Sequence, residues 1–236
     1  MKKETRNKKY TVLRVVPETP GVVTLQLACT DGISLYIPGQ FITVYLPELG
    51  TPEGKAYSIS SAPGEPLCVT VRARGEFSRR LCALRPGDTF LASEPCGYFY
   101  SESTASALVM LAAGIGVAPF RSMILDAVRK NSARTLLLFY SNKTMSDIVF
   151  GGLLDTLAAA YPAVRVNHFI TKEESLPEGV VRGRITAEAV VHAIEEVPDP
   201  EFFICGSISF VRDLWSGLWS AGINEDRLYT EAFFSH

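Results

Sequence analysis

The residues best suited to chemistry are two glycines and a proline that follow an apolar run. Leu108–Ala113 breaks at Gly114 and Gly116, meets Pro119, and resumes with helical spacing at Phe120. The pattern predicts a strand, a tight turn and a helix start, because glycine permits close backbone approach and proline suits the first helical turn. Free N–H groups and the helix dipole at such a terminus favour a pyrophosphate. A structural loop can show the same G-x-G turn, so the choice between a nucleotide site and a structural loop depends on the surrounding elements.

A second pattern alternates polar and aromatic side chains in Lys55-Ala-Tyr-Ser58, just before a Pro-Gly turn. On a strand, Lys55 and Tyr57 share one face. The ring of Tyr57 can lie against a flat cofactor, Ser58 offers a hydroxyl, and Lys55 can meet a phosphate. The alternative is structural, with Tyr57 in the core and the serines at an edge.

A third pattern is the basic segment Val71–Leu81, where Gly75 turns the chain and Ser78 stands where a helix N-cap belongs. A phosphate at that first turn would accept free backbone N–H groups, although an N-cap serine needs no ligand. The cations available to neutralise the phosphate are Arg72, Arg74, Arg79 and Arg80.

The elements that must position these residues differ between the two halves of the chain. Up to about Phe99, short β segments separated by Gly/Pro/Asp turns predict a six-stranded antiparallel barrel, with one helix at 78–84. The six segments are Tyr10–Val16, Val22–Leu27, Gln40–Leu46, Ala56–Ser60, Leu67–Arg72 and Thr89–Ser93.

From about Ala105 strands alternate with helices, which predicts an α/β domain with a parallel, Rossmann-like sheet. We place the domain boundary in a polar connector, giving domains 1–102 and 103–236. The predicted strands are Ala107–Ala112, Thr135–Tyr140, Arg165–Ile170 and Phe202–Cys205; the helices are Pro119–Lys130, Asp147–Ala160, Thr186–Glu195 and Ser209–Ala221.

Composition excludes several classes of protein. A net charge of −2 over 236 residues argues against a general nucleic-acid binder. No run of 18 apolar residues is long enough for a membrane-spanning helix, and the basic N-terminus lacks the apolar stretch of a secretory signal. Five widely spread cysteines without a C-x-x-C pair favour a reducing cytoplasm and argue against an iron–sulfur cluster. The scattered histidines His168, His192 and His236 predict no metal site.

Six motifs in order resemble the ferredoxin–NADP reductase superfamily over nearly the whole chain from Tyr10. They are Pro38-Gly-Gln-Phe41, Lys55-Ala-Tyr-Ser58, Gly75-Glu-Phe-Ser78, Gly114-Ile-Gly-Val-Ala-Pro-Phe120, Cys205-Gly-Ser207 and Glu231-Ala-Phe233.

The resemblance implies FAD in the barrel, with FMN as the alternative. Tyr57 would stack on the isoalloxazine, Ser58 would bond its N5, and Lys55 would hold the pyrophosphate. The family has arginine at this last position, and lysine lacks its bidentate fork. The remaining residues expected around the flavin are Ile59, Ser60, Arg72, Gly75, Phe77 and Ser78.

The resemblance also implies NADPH or NADH on the α/β domain. Gly114, Gly116 and Pro119 would receive the pyrophosphate, and the Cys205 thiol with Gly206 would lie near the nicotinamide, although a cysteine ending a strand is also ordinary packing. The residues expected beside the flavin from the C-terminal motif are Glu231 and Phe233, unless this segment is simply a docked tail.

The end of the second α/β strand decides between the two nicotinamides. Ser141 and Lys143 lie there, with no acid before Asp147, which favours NADPH unless Lys143 is a solvated loop residue.

The expected activity is hydride transfer from NAD(P)H to flavin N5, with Tyr57, Ser58, Cys205 and Glu231 as the catalytic set. Electrons then pass to a separate acceptor: a ferredoxin, a flavodoxin, an oxygenase component or a small molecule. Two alternatives remain, a reductase that uses free flavin as substrate and a non-catalytic subunit of a larger complex.

Overall fold

The computed structural model describes residues 7–30, 32, 34–103 and 105–233. The chain forms two compact units. The first unit consists of the chain up to Tyr100 together with the later segment Ala118–Asp126. The second unit consists of Ser101–Val117 and the chain from Ala127 onward.

The first unit is built on an antiparallel sheet in the order β4-β3-β6-β1-β2-β5. Its end strands join through a bridge between Ile59 and Val69 and a 2.8 Å bond from the Ser60 N–H to the Cys68 carbonyl, which closes the barrel. The six predicted segments are therefore confirmed as strands. They are β1 (Lys8–Thr19), β2 (Val22–Cys29), β3 (Phe41–Tyr45), β4 (Lys55–Ser58), β5 (Leu67–Arg72) and β6 (Thr89–Ala92).

The helix of the first unit, α1 (Glu76–Cys82), begins two residues earlier than the sequence predicts. Gly75 is its N-cap, and Ser78 is therefore the third helical residue, so the prediction of an N-cap serine is wrong. The Ser78 hydroxyl reaches back and accepts the backbone N–H groups of Arg74 at 2.9 Å and Gly75 at 3.1 Å. A side chain at the third helical position can bond backbone N–H groups just before the helix, much as an N-cap side chain bonds those of the first turn. This similarity explains why the sequence places the start of the helix too late.

The second unit is built on a parallel sheet in the order β10-β9-β8-β7-β11-β12. The two-domain fold class is thus confirmed. The strands are β7 (Ala107–Ala113), β8 (Thr135–Asn142), β9 (Val164–Ile170), β10 (Val181–Arg182), β11 (Pro200–Ser207) and β12 (Leu228–Phe233).

Four further helices connect these strands: α2 (Ala118–Arg129), α3 (Gly151–Ala160), α4 (Ala187–Ala193) and α5 (Ile208–Ser220). Helices α4 and α5 pack on one face of the sheet, because alternate residues of β7, β8 and β11 form one apolar cluster with Val190, Leu214 and Leu218.

Three details of the second unit differ from expectation. The edge strands β10 and β12 are missing from the sequence-based assignment. Helix α3 begins at Gly151 because Asp147 closes a separate 3-10 turn, where its carboxylate accepts the N–H and the hydroxyl of Thr144. The C-terminal motif lies on β12 and is paired with β11 throughout.

Within the part of the chain that the structure describes, no helix is long and apolar enough to cross a membrane. The same residues contain no cluster of three His, Cys, Asp or Glu side chains suited to a metal. His168 lies 3.6 Å from Asp155 and His192 lies 3.1 Å from Glu195, whereas His236 is outside the described residues.

Candidate functional site

The parallel sheet reverses its strand order between β7 and β11. From β7 the chain proceeds outward to β8, β9 and β10, and then returns to place β11 on the other side. Connections that leave in opposite directions open a crevice at the carboxyl edge, where α/β sheets bind ligands. Gly114 follows β7 directly, and Cys205-Gly206 lies near the end of β11, so topology brings these two predicted motifs to the crevice.

The two glycines of the turn have different physical roles. Gly114 adopts φ +53°, which favours glycine, and open space surrounds the position that its Cβ would occupy. Gly116 has no Cβ for a packing reason, since an added Cβ would lie 2.2 Å from the Cys205 carbonyl oxygen. Sequence reasoning assigned both glycines to ligand approach, whereas only Gly114 has the open side that this needs. Pro119, the second residue of α2, lies in the first helical turn as expected.

Cys205 and Glu231 are paired residues on β11 and β12. The Cys205 side chain is fully buried, and this burial, followed by the nearby Glu231 carboxylate, raises the pKa of the thiol well above its usual range. A thiol kept protonated is a weak hydrogen-bond donor rather than a nucleophile. Phe233 is half-buried and paired with Ser207, one residue beyond Gly206.

The carboxyl ends of β8 and β9 carry cations. Ser141 is half-buried in β8 and Lys143 is exposed just after it. The segment after β9 runs alongside, since the N–H of Lys172 donates to the Lys143 carbonyl at 2.8 Å and the N–H of Thr171 donates to the Asn142 carbonyl at 3.1 Å. Sequence reasoning missed Lys172; its signal is a cation two positions beyond a predicted parallel strand.

In the barrel, β4 presents Lys55 exposed, Tyr57 half-buried and Ser58 almost fully buried. The ring of Tyr57 stacks on Phe77, with centroids 6.4 Å apart and planes 20° apart. Lys55 Nζ lies 5.6 Å from the centroid of the same Phe77 ring, which confirms that Lys55 and Tyr57 share a face. Burial raises the pKa of the Tyr57 phenol, so this group stays protonated at neutral pH.

Three of the residues expected around the flavin point inward. Ile59 and Phe77 belong to the apolar core of the barrel. The fully buried hydroxyl of Ser60 bonds that of Thr70 at 2.8 Å. These side chains therefore stabilise the barrel below the surface that Lys55 and Tyr57 present.

The turn beside this surface carries the other expected residues. Arg72 is half-buried at the end of β5, and Gly75 is exposed ahead of α1. From α2, Arg121 and Ser122 donate to the backbone carbonyls of Ser60 and Ser61. Sequence reasoning missed both of these contacts, because no local pattern connects α2 to the end of β4. Segments that are distant in sequence therefore meet just after β4 in the first unit.

Comparison with known proteins agrees with this architecture. Residues 110–215 match the model of the oxidoreductase NAD-binding domain. The chain is 31% identical over 237 residues to ferredoxin–NADP reductase B of Sorangium cellulosum, covering 94% of this chain and 96% of that protein. The chain therefore belongs to the ferredoxin–NADP reductase superfamily.

Two further comparisons concern fold and length. The FAD/NAD-binding domain of nitric oxide dioxygenase from Vibrio cholerae superimposes with a TM-score of 0.83 at 22% identity, over 97% of this chain and 99% of that domain. The flavohemoprotein of Bordetella pertussis is 26% identical over 95% of this chain. This chain spans 60% of the length of that relative.

The described residues fit a dinucleotide at the sheet edge and an aromatic cofactor on the barrel. Gly114 has open space where a side chain would stand, and Lys143 and Lys172 supply nearby positive charge. On β4, an exposed ammonium and a partly exposed phenol share a face. These donors suit phosphates and a flat ring.

Proposed function

We propose that this protein is an NAD(P)H-dependent flavoprotein reductase that binds FAD on the barrel unit and NADP(H) on the α/β unit. It passes electrons to a separate acceptor, with a ferredoxin or flavodoxin as the first candidate, in the cytoplasm. The observation that carries the proposal is the end-to-end match with a ferredoxin–NADP reductase of nearly the same length. Both units therefore occur together in one such reductase.

The α/β unit supplies binding and orientation. We assign the pyrophosphate to the turn at Gly114, since its missing side chain leaves the backbone accessible. Lys143 and Lys172 favour the 2′-phosphate of NADPH by charge. Cys205, held neutral, and the paired Glu231 are assigned to the nicotinamide end of this site, where a carboxylate favours the positive charge that the ring gains as the hydride leaves.

The barrel unit holds the flavin. FAD, when bound, accepts the hydride as a pair of electrons and releases electrons one or two at a time. Tyr57 offers a ring face, Ser58 a hydroxyl for N5, and Lys55 a charge for the pyrophosphate, supported by Arg72. The Ser78 hydroxyl is already used within the turn, where it accepts the N–H groups of Arg74 and Gly75. Because lysine lacks the guanidinium fork, this charge positions the phosphate less strictly than arginine would.

A second candidate acceptor is suggested by the flavohemoprotein relative. The flavohemoprotein relative continues well beyond the region that this chain matches. The similarity to a flavohemoprotein favours, as the second candidate, a reductase that passes its electrons to an oxygenase or to a haem-bearing partner.

The deciding experiment is anaerobic titration of the purified chain with NADPH and with NADH, followed by acceptors. We expect a yellow protein containing FAD that NADPH bleaches, and that then reduces a ferredoxin or flavodoxin. A colourless protein that oxidises NADPH only with added flavin would instead show a flavin reductase. A resident flavin that neither nicotinamide bleaches would show a non-catalytic subunit.

A further inference from the structure

A buried tyrosine of β8 contacts both loops that the proposed nucleotide site uses. Tyr140 is fully buried, and its hydroxyl donates to the carbonyl oxygen of Gly114 at 3.1 Å. The same hydroxyl accepts the backbone N–H of Val149 at 3.1 Å. One oxygen therefore connects the turn after β7 to the segment between β8 and α3, which begins with Lys143.

The bond to Gly114 sets the direction of a peptide group. Peptide bonds of the described residues are trans, so the Gly114 carbonyl and the N–H of Ile115 point in opposite directions within one plane. Because the carbonyl is turned towards Tyr140 in the sheet, the N–H is turned away from it. A backbone N–H turned away from the sheet in this manner is the type of donor that binds a pyrophosphate.

The bond from the Val149 N–H to Tyr140 lies next to a strained residue of the loop between β8 and α3. The next residue, Phe150, has φ +64°, a conformation unfavourable for a side chain of its size, and it caps the start of α3. A hydrogen bond to the preceding N–H fixes the chain at the entry to this residue. The loop that carries Lys143 is thereby fixed at its C-terminal end.

We infer that Tyr140 is a positioning residue for the nicotinamide dinucleotide, holding the pyrophosphate turn and the Lys143 loop in one arrangement through its hydroxyl. The inference rests on the proposed function. Tyr140 does not touch the reacting atoms, so it affects nucleotide affinity rather than the rate of hydride transfer.

The test is Tyr140→Phe, which keeps the ring and removes the hydroxyl. We expect the Kd for NADP⁺, measured by calorimetry, to rise about tenfold. The FAD content and the limiting rate of flavin reduction at saturating NADPH should stay within about twofold. Unchanged affinity, or a slower limiting rate with unchanged affinity, would overturn the inference.

Tyr10→Phe is the matched control, because Tyr10 is also fully buried and its hydroxyl bonds Ser34 at 2.9 Å in the other unit. An equal rise in Kd in this variant would show general loosening and would also overturn the inference. Wild-type protein that binds neither NADP⁺ nor NAD⁺ would refute the proposed function itself, and the inference with it.

Hydrogen exchange of the wild-type protein gives a second readout, should Tyr140→Phe fold poorly. NADP⁺ should slow exchange of the Val149 N–H, which donates to the Tyr140 hydroxyl. A bound nucleotide stabilises the two loops that this hydroxyl connects, so the bond opens less often. Exchange at Val149 that NADP⁺ leaves unchanged would contradict the assignment.

Discussion

The carboxyl edge of the parallel sheet and strand β4 of the barrel form candidate sites by different means. At the sheet edge, topology gathers short motifs that are far apart in sequence, and main-chain geometry accounts for their glycines. On β4, the surface comes from alternate side chains of one strand, since Lys55 and Tyr57 share a face and the neighbouring Ser58 is almost fully buried. We therefore expect the site at the sheet edge to be disrupted by substitutions that add atoms to the glycines. The site on β4 should instead be disrupted by substitutions that remove side-chain atoms.

The largest effect is expected from adding one methyl group at the sheet edge. Gly116→Ala would place a Cβ 2.2 Å from the Cys205 carbonyl oxygen, so backbone must move. We expect the free energy of unfolding to fall by about 2–4 kcal/mol, together with loss of NADP⁺ binding. Thermal denaturation and calorimetry measure the two effects.

Gly152→Ala is the matched control, since open space surrounds this helical glycine and its φ is not positive. We expect it to stabilise the protein by about 0.5–1 kcal/mol. If Gly116→Ala behaved in the same way, close packing would not explain the glycine.

The next effect comes from removing one hydroxyl on the barrel. Ser58→Ala should slow flavin reduction at saturating NADPH by about 10- to 100-fold, because a donor near the reacting centre is lost, while NADPH affinity changes little. Stopped-flow absorbance measures both quantities.

Ser61→Ala serves as its control. Ser61 is fully buried, and its hydroxyl bonds Tyr36 at 2.8 Å and the Cys68 N–H at 2.9 Å. It should cost about 1 kcal/mol of stability and leave reduction unchanged. Equal kinetics in the two variants would remove Ser58 from the reaction.

A smaller effect separates the two nicotinamides. Lys143→Ala should raise the KM for NADPH about tenfold and leave that for NADH unchanged, since only NADPH carries a 2′-phosphate. Lys9→Ala, an exposed lysine of β1, should change neither value. A wild-type preference for NADH beyond tenfold in kcat/KM would refute the assignment.

The smallest effect concerns alkaline pH. Burial raises the pKa of Cys205 above the ordinary 9.0, so the folded protein keeps a proton that the unfolded chain loses. The associated stability is present below pH 9 and is lost as the pH rises through the folded pKa, with a slope of at most about 1.4 kcal/mol per pH unit. Urea unfolding of Cys205→Ala between pH 8 and 10.5 should show a shallower decline than wild type, and an identical decline would exclude this thiol as its source.

Most of the fold follows from the sequence because its patterns are local. Alternating residues between Gly/Pro turns define the six barrel strands, and the change of period after residue 105 defines the α/β unit. The edge strands β10 and β12 escape this reasoning. A two-residue strand has no period, and Leu228–Phe233 becomes a strand through pairing with β11.

The site follows from the sequence only in part. The order of the motifs predicts which segments contribute to the candidate sites, and the sheet topology then brings Gly114 and Cys205 to the carboxyl edge of the parallel sheet. Burial is set by tertiary packing, so a strand pattern could not show that Ile59 and Ser60 face the interior. The contact of Gly116 with Cys205 and the approach of Lys172 to Lys143 join residues far apart in sequence, and no local pattern contains them.

The brevity of β10 also bears on how the protein behaves at high concentration. Only Val181 and Arg182 extend the sheet at this end, and the Arg182 guanidinium donates to the carbonyl of Glu174. Strand-by-strand association between molecules requires a long, flat ladder of unpaired peptide groups with few charges. The strand β10 itself, two residues long with one of them charged, therefore provides almost no template for such association.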